Sequence, residues 1–232
     1  MKLVKTGVKT LFGAILLLAL PLGLSAALPA ALAGEGSNDL EAAELSSPTD
    51  WTMALPQDYA FAILRKNKKI GSHFIRFSRE GDVLHVGIDI TIKVKFGPIT
   101  AYHYKHRNDE YWRDGRLIAI ETRTNDNGKK YSVSGKASEE GFEVTGIDGK
   151  LLLPAEVIPT SYWNIATWQA AEVLDSQRGI VRKIVIEEKG VSDCGRHFDM
   201  SGEMELDLWY AGDRLCGLTF TEGGAAISYA PL

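Results

Sequence analysis

The residues best equipped for chemistry are His103, His106 and Glu110, the cysteines Cys194 and Cys216, the run Thr124-Asn125-Asp126-Asn127-Gly128, and Ser161. Histidines three residues apart share a face only on a helix, where they can hold a metal. Their stretch follows Gly97-Pro98 and contains Tyr102 and Tyr104, which points to a strand, and on a strand an odd separation puts them on opposite faces. No metal ligand set is assigned. The Asn and Asp oxygens of 124–128 suggest part of a calcium loop, but the acid at its far end is missing and Asn-Gly between two strands marks a tight hairpin. Ser161, two residues after Pro159, fits a helix cap better than an activated nucleophile. No G-x-S-x-G elbow, Walker loop, H-E-x-x-H or C-x-x-C occurs, so no catalytic residue and no cofactor is assigned.

The elements that must position these groups alternate with period two. From Val83 to Phe96 the even positions are Leu84, Val86, Ile88, Ile90, Ile92, Val94 and Phe96, one apolar face of a strand. At ~3.3 Å per residue such a strand runs roughly 45 Å and must bend. His197 to Tyr210 repeats the pattern through Phe198, Met200, Met204, Leu206, Leu208 and Tyr210. Shorter strands are expected at 59–65, 70–77, 99–106, 117–124, 129–136, 142–147, 180–188, 215–221 and 226–229, separated by turn signals such as Gly81-Asp82, Asp114-Gly115 and Asp148-Gly149. The fold class is therefore all-β: an antiparallel meander of about ten strands forming a barrel or strongly curved sheet. Pro159 and the helical spacing of Trp163, Ala166, Ala170, Val173 and Leu174 predict one helix inserted near residues 160–175.

Three segments are expected. Residues 1–33 carry Lys2, Lys5 and Lys9, then an apolar stretch and Ala31-Leu32-Ala33, the pattern of a cleaved signal peptide. Residues 34–57 contain five acids and no Lys or Arg, an acidic flexible arm. Residues 58–232 form one domain. The whole chain, with 26 basic and 30 acidic residues, has a net charge of −4; without 1–33 it has 23 basic residues and a net charge of −7. Such a balance disfavours a nucleic-acid partner. The location is then periplasmic or secreted, with no transmembrane helix in the mature form.

Export makes a disulfide chemically possible. Setting Leu218 and Phe220 on the face of Leu206 and Leu208 requires opposed residue numbers that sum to about 426, which puts Cys216 opposite Tyr210 and Cys194 far along the hairpin. A bridge needs the Cys194 loop to fold back, because bridged Cα atoms come within about 7 Å. Geometry weighs against a bridge, exported proteins seldom keep free thiols, and the sequence leaves the pairing open.

Several short motifs, in order and spacing, carry a resemblance: Tyr59 with Lys69-Ile70-Gly71, Glu110-Tyr111-Trp112 with Asp114-Gly115-Arg116-Leu117, Thr124-Asn125-Asp126, Pro159-Thr160-Ser161-Tyr162-Trp163-Asn164, and Leu208-Trp209-Tyr210. Together they resemble an uncharacterised, domain-of-unknown-function family of exported proteobacterial all-β proteins. The resemblance implies a periplasmic curved-sheet domain and supplies no catalytic residue.

Function is expected to be non-enzymatic: a binding module sheltering an apolar or amphipathic, lipid-like molecule, with 154–177 as lid. The expected ligand lining is Ile88, Ile90, Ile92, Trp163, Asn164, Trp168, Leu206 and Leu208. A cell-envelope structural or interaction factor that binds a protein partner is the alternative, and an envelope hydrolase the third reading.

Overall fold

A computed structural model describes residues 55–192 and 194–232. The proposed signal peptide and nearly all of the acidic arm lie outside the described residues. The strands are β1 (Tyr59–Arg65), β2 (Lys68–Glu80), β3 (Val83–Phe96), β4 (Ile99–Arg113), β5 (Arg116–Asp126), β6 (Lys129–Ser138), β7 (Gly141–Gly146), β8 (Gly149–Leu153), β9 (Glu172–Asp175), β10 (Ile180–Ser192), β11 (Gly195–Gly202), β12 (Leu206–Ala211), β13 (Arg214–Glu222) and β14 (Ala225–Pro231). All belong to one antiparallel sheet in the order β8-β7-β6-β5-β4-β3-β2-β1-β14-β13-β12-β11-β10-β9. The meander is closed in sequence through the β1–β14 pair, while β8 and β9 remain its two ends.

Those ends approach without pairing. Ile147 N donates to Arg178 O at 2.9 Å, joining the β7–β8 turn to the turn before β10. A Cβ on Gly146 would stand 2.3 Å from Arg178 O and 2.6 Å from Gly179 Cα, so only glycine permits the approach. The result is a barrel-like sheet, its inner face packed around Ile63, Ile75, Val86, Trp112, Ile120, Phe142 and Leu208. Among the described residues no helix is long and apolar enough to cross a membrane.

β3 spans the range that its alternation predicts, with Leu84, Val86, Ile88 and Ile92 buried. Asn127 (φ 50°) and Gly128 (φ 97°) make the tight turn between β5 and β6.

Three expectations need correction. The sheet has fourteen strands rather than about ten, since β8 and β9 are added and His197–Tyr210 divides into β11 and β12. The helix near 160–175 is absent: only a 3₁₀ turn at Ile165–Gln169 forms, Val173 and Leu174 belong to β9, and Tyr162 takes a φ of 59°. Its cap is Asn164, whose side chain accepts from Ala166 N at 2.9 Å, and not Ser161. Tertiary bonds override the helical spacing here, because Leu174 N donates to Ile158 O and Thr160 N to Leu174 O, which hold 158–160 extended along β9.

The third correction is to the geometry that weighs against a bridge. Cys194 and Cys216 are bridged, with Cα atoms 6.0 Å apart. The pairs Asp207↔Thr219 and Leu208↔Leu218 follow the expected register, but a bulge after Trp209 leaves Tyr210 opposite Leu215 and Cys216 out of the ladder. Because β11 folds back on β12, with Arg196 opposite Tyr210, Cys194 arrives at the same end of the sheet.

Candidate functional site

Alternation along β4 sends Tyr102, Tyr104, His106, Asn108, Glu110 and Trp112 inward, all buried, while His103 faces out. Half of this inward row is polar, which an apolar sheet interior tolerates only with partners. Partners come from neighbouring strands, from residues 161–164 and from the turn after β9 at Ser176 and Gln177, all of them buried. Tyr104 OH donates to Gln177 Oε1 (3.0 Å), Thr122 Oγ1 to Ser176 O (2.7 Å) and Tyr210 OH to Tyr162 O (2.8 Å). Across to β5, Tyr102 OH donates to Asp126 Oδ1 at 2.8 Å and His106 Nδ1 lies 2.7 Å from Thr124 Oγ1. The segment expected as a lid is an internal plug.

Glu110 is the hub. Its Oε2 accepts from Trp112 Nε1 (3.0 Å) and Trp163 Nε1 (2.8 Å), and its Oε1 from Asn108 Nδ2 (2.7 Å). Burial pushes its pKa up, opposed by the hydrogen bonding of Trp163, Asn108, Ser161 and Trp112. The two indoles meet edge to face with centroids 5.3 Å apart, and Trp163 meets Phe77 the same way at 5.4 Å. A buried carboxyl thus fixes the orientation of Trp163.

Two spaces flank this hub. The inner one, about 30 Å³, is lined by His73, His106, Asn108, Tyr162 and Gln177 among others. Both ring nitrogens of His73, Asn108 Oδ1, Tyr162 Oη and Gln177 Nε2 are buried here without a protein partner among the described residues. Burial, assisted by His106, pushes His73 down to about 3, and burial pushes His106 down to about 4, so both imidazoles are neutral at physiological pH. A space this small, with neutral donors and acceptors, suits one or two water molecules. Among the described residues no group of three or more His, Cys, Asp or Glu side chains could hold a metal ion.

The outer space is a cleft of about 250 Å³ at the mouth of the sheet. Leu55, Tyr59, Phe77, Trp163 and Ile165 give it apolar walls, and Asn164, Asp213 and Arg214 give it a polar rim. Arg214 lies over the Tyr59 ring, its Cζ 4.7 Å from the centroid.

The residues expected to line a ligand do not form one site. Ile88 and Ile90 border the inner cavity, Ile92 and Leu208 are packed into the core, and Leu206 borders a separate groove beside Thr219. Trp163 and Asn164 meet at the mouth cleft. Trp168 is elsewhere, edge-on to Phe198 at 4.7 Å with the Arg196 guanidinium 4.1 Å over its ring. The polar row of β4 is the missed component, and its signal was present: His106, Asn108 and Glu110 stand at even separations, so one strand face must carry all three.

A family model described as a domain of unknown function, DUF6134, matches residues 61–232. The chain belongs to this family. The family region covers nearly all of the sheet, from β1 to the C-terminus. The chain is also similar to the crystal structure of a β-barrel-like protein of domain of unknown function DUF1849 from Brucella abortus, at 11% identity and a TM-score of 0.48, covering 77% of this chain and 96% of that one. Nothing among the curated proteins matches it. Motifs far apart in sequence meet at the hub: Glu110 and Trp112 with Trp163, and Tyr210 with Tyr162.

Proposed function

We propose that this chain is an exported, non-enzymatic binding module of the cell envelope that holds a small amphipathic molecule in the mouth cleft. The observation that carries this reading is the cleft itself: about 250 Å³, with apolar walls and a polar rim where the cation Arg214 stands beside Asp213 and Asn164. Binding sites commonly combine mostly apolar walls with a few placed polar groups. Trp163, anchored from below by Glu110, is pre-organised to receive an apolar chain or ring, which reduces the ordering cost of binding. The inner cavity is too small for such a guest, so the ligand belongs at the mouth and not in the barrel's centre. Export is supported by the character of residues 1–33 and by the Cys194–Cys216 bridge, since persistent disulfides are a property of oxidising compartments.

The test is a titration with decanoate, an amphipathic carboxylate, followed by tryptophan fluorescence and calorimetry. Saturable one-to-one binding is expected, weakened about tenfold in Arg214→Ala by loss of a charge-assisted contact, with the affinity for uncharged decanol unchanged. Absence of saturable binding, or equal loss for decanol and decanoate, would overturn the assignment.

A further inference from the structure

The β3–β4 hairpin reaches past its neighbours. Pairing of β2 with β3 ends at Gly71↔Ile92, and pairing of β4 with β5 ends at Tyr104↔Asp126, so residues 93–103 form a two-stranded ribbon that pairs with no third strand among the described residues. At its tip, after Gly97-Pro98, Ile99 is 66% exposed. The outer face of the ribbon and of the sheet behind it is basic. Register sets Thr91, Lys105, Asn125 and Lys130 in one row, Asp89, Arg107, Arg123 and Ser132 in the next, and Lys93 beside His103 on the ribbon. Lys93, Lys95, Lys105, Arg123 and Lys130 are exposed and make no ion pair among the described residues. Of the acids on this face, Asp89 is held by Arg76, Asp109 by His85 and Arg107, and Glu121 lies beyond them. This concentration of unpaired cations stands out on a chain whose overall charge is −4.

We propose that this face docks on a bilayer surface rich in anionic phospholipid, with the ribbon tip entering the headgroup region. Juxtaposed lysines and arginines gain attraction from an anionic leaflet that falls away within a Debye length. Rows of side chains on adjacent strands, ~4.8 Å apart, present charge over an area rather than at a point, as a field of headgroups requires. Ile99 pairs with Phe96 and so stands on the side of the ribbon opposite Lys93 and Lys95; a tip that enters the interface end-on engages both sides, whereas a soluble polyanion uses the cations and leaves Ile99 idle. The docking face is separate from the mouth cleft and does not depend on what the cleft binds.

Co-sedimentation of the full chain with vesicles tests this. Binding is expected to phosphatidylglycerol–phosphatidylcholine vesicles, not to phosphatidylcholine alone, and to fall with added salt. Lys93→Gln/Lys95→Gln should weaken it about 25-fold, about fivefold per lysine. Ile99→Asp should weaken it as well, and Lys183→Gln, on β10 away from the ribbon, should leave it unchanged. All of these positions are exposed, so circular dichroism should show intact folds. No binding, equal binding to neutral vesicles, or an undiminished Lys93→Gln/Lys95→Gln variant would overturn the proposal. Full affinity in Ile99→Asp would also overturn it, in favour of a soluble polyanion.

Discussion

Acid should weaken this fold through His73 and His106. Both imidazoles are buried and held neutral, His73 at about 3 and His106 at about 4, against an ordinary value of 6.5. A depressed histidine pKa means that the unfolded chain binds the proton first, so stability present above 6.5 is lost as pH falls toward 4 and then 3. At pH 5 the unfolded histidines are about 1.5 units below their pKa while the folded ones are still neutral. At ~1.4 kcal/mol per unit, each should cost about 2 kcal/mol of stability, and the pair about 4 kcal/mol. His73→Phe isolates one of them. Neither ring nitrogen of His73 has a protein partner among the described residues, and Phe61 and Tyr229 already surround the ring at 6.1 and 5.6 Å, so an apolar ring should cost little at pH 7. Urea unfolding of both proteins at pH 7 and pH 5 should show the variant losing about 2 kcal/mol less than the wild type. Equal losses, or a His73 ring that titrates near 6.5 by NMR in the folded state, would refute the reasoning.

Glu110 carries the opposite sign: its raised pKa makes stability decline as pH climbs through the folded value, and Glu110→Gln should abolish that slope in the same unfolding series. Glu110→Gln should remain folded, because Asn108 can turn its unpartnered Oδ1 toward the new amide, whereas Glu110→Leu orphans the indole N–H groups of Trp112 and Trp163 and should lose roughly 3–5 kcal/mol by denaturant titration. Reduction of the Cys194–Cys216 bridge, which closes a separation of 22 residues, should cost about 3 kcal/mol, read as a lower melting temperature in dithiothreitol that Cys194→Ser/Cys216→Ser reproduces without reductant. Gly71→Ala would place a Cβ 2.2 Å from Thr91 O on β3, so calorimetry should show a loss of about 2 kcal/mol or more.

What was legible followed from strict alternation. β3 could be read residue by residue because apolar even positions alternate with polar or glycine odd positions without a break from Leu84 to Phe96. The reversal between β11 and β12 was hidden because it preserves parity: Met200 pairs with Leu206 and Phe198 with Leu208, so even-numbered residues stay inward on both sides of the turn. That concealed turn also carried the error about the cysteines, since only a chain that folds back there brings Cys194 near Cys216. β8 offered three consecutive leucines and no alternation. The plug mimicked a helix because Trp163, Ala166 and Ala170 happen to fall at helical spacing, while its real conformation is set by β9 and by Glu110. The polar row of β4 was readable by parity, but its partners, Gln177 and Trp163, lie more than fifty residues away, and no local pattern announces them.

Mass measured under native conditions, on protein purified gently from the cells that make it, tests the binding reading most directly. The expected result is one amphipathic molecule per chain, identified after extraction and held about tenfold more weakly by Arg214→Ala if it is an anion, while the fold persists. A bare polypeptide mass, with decanoate unable to add to it, would contradict the assignment of the mouth cleft as a ligand site.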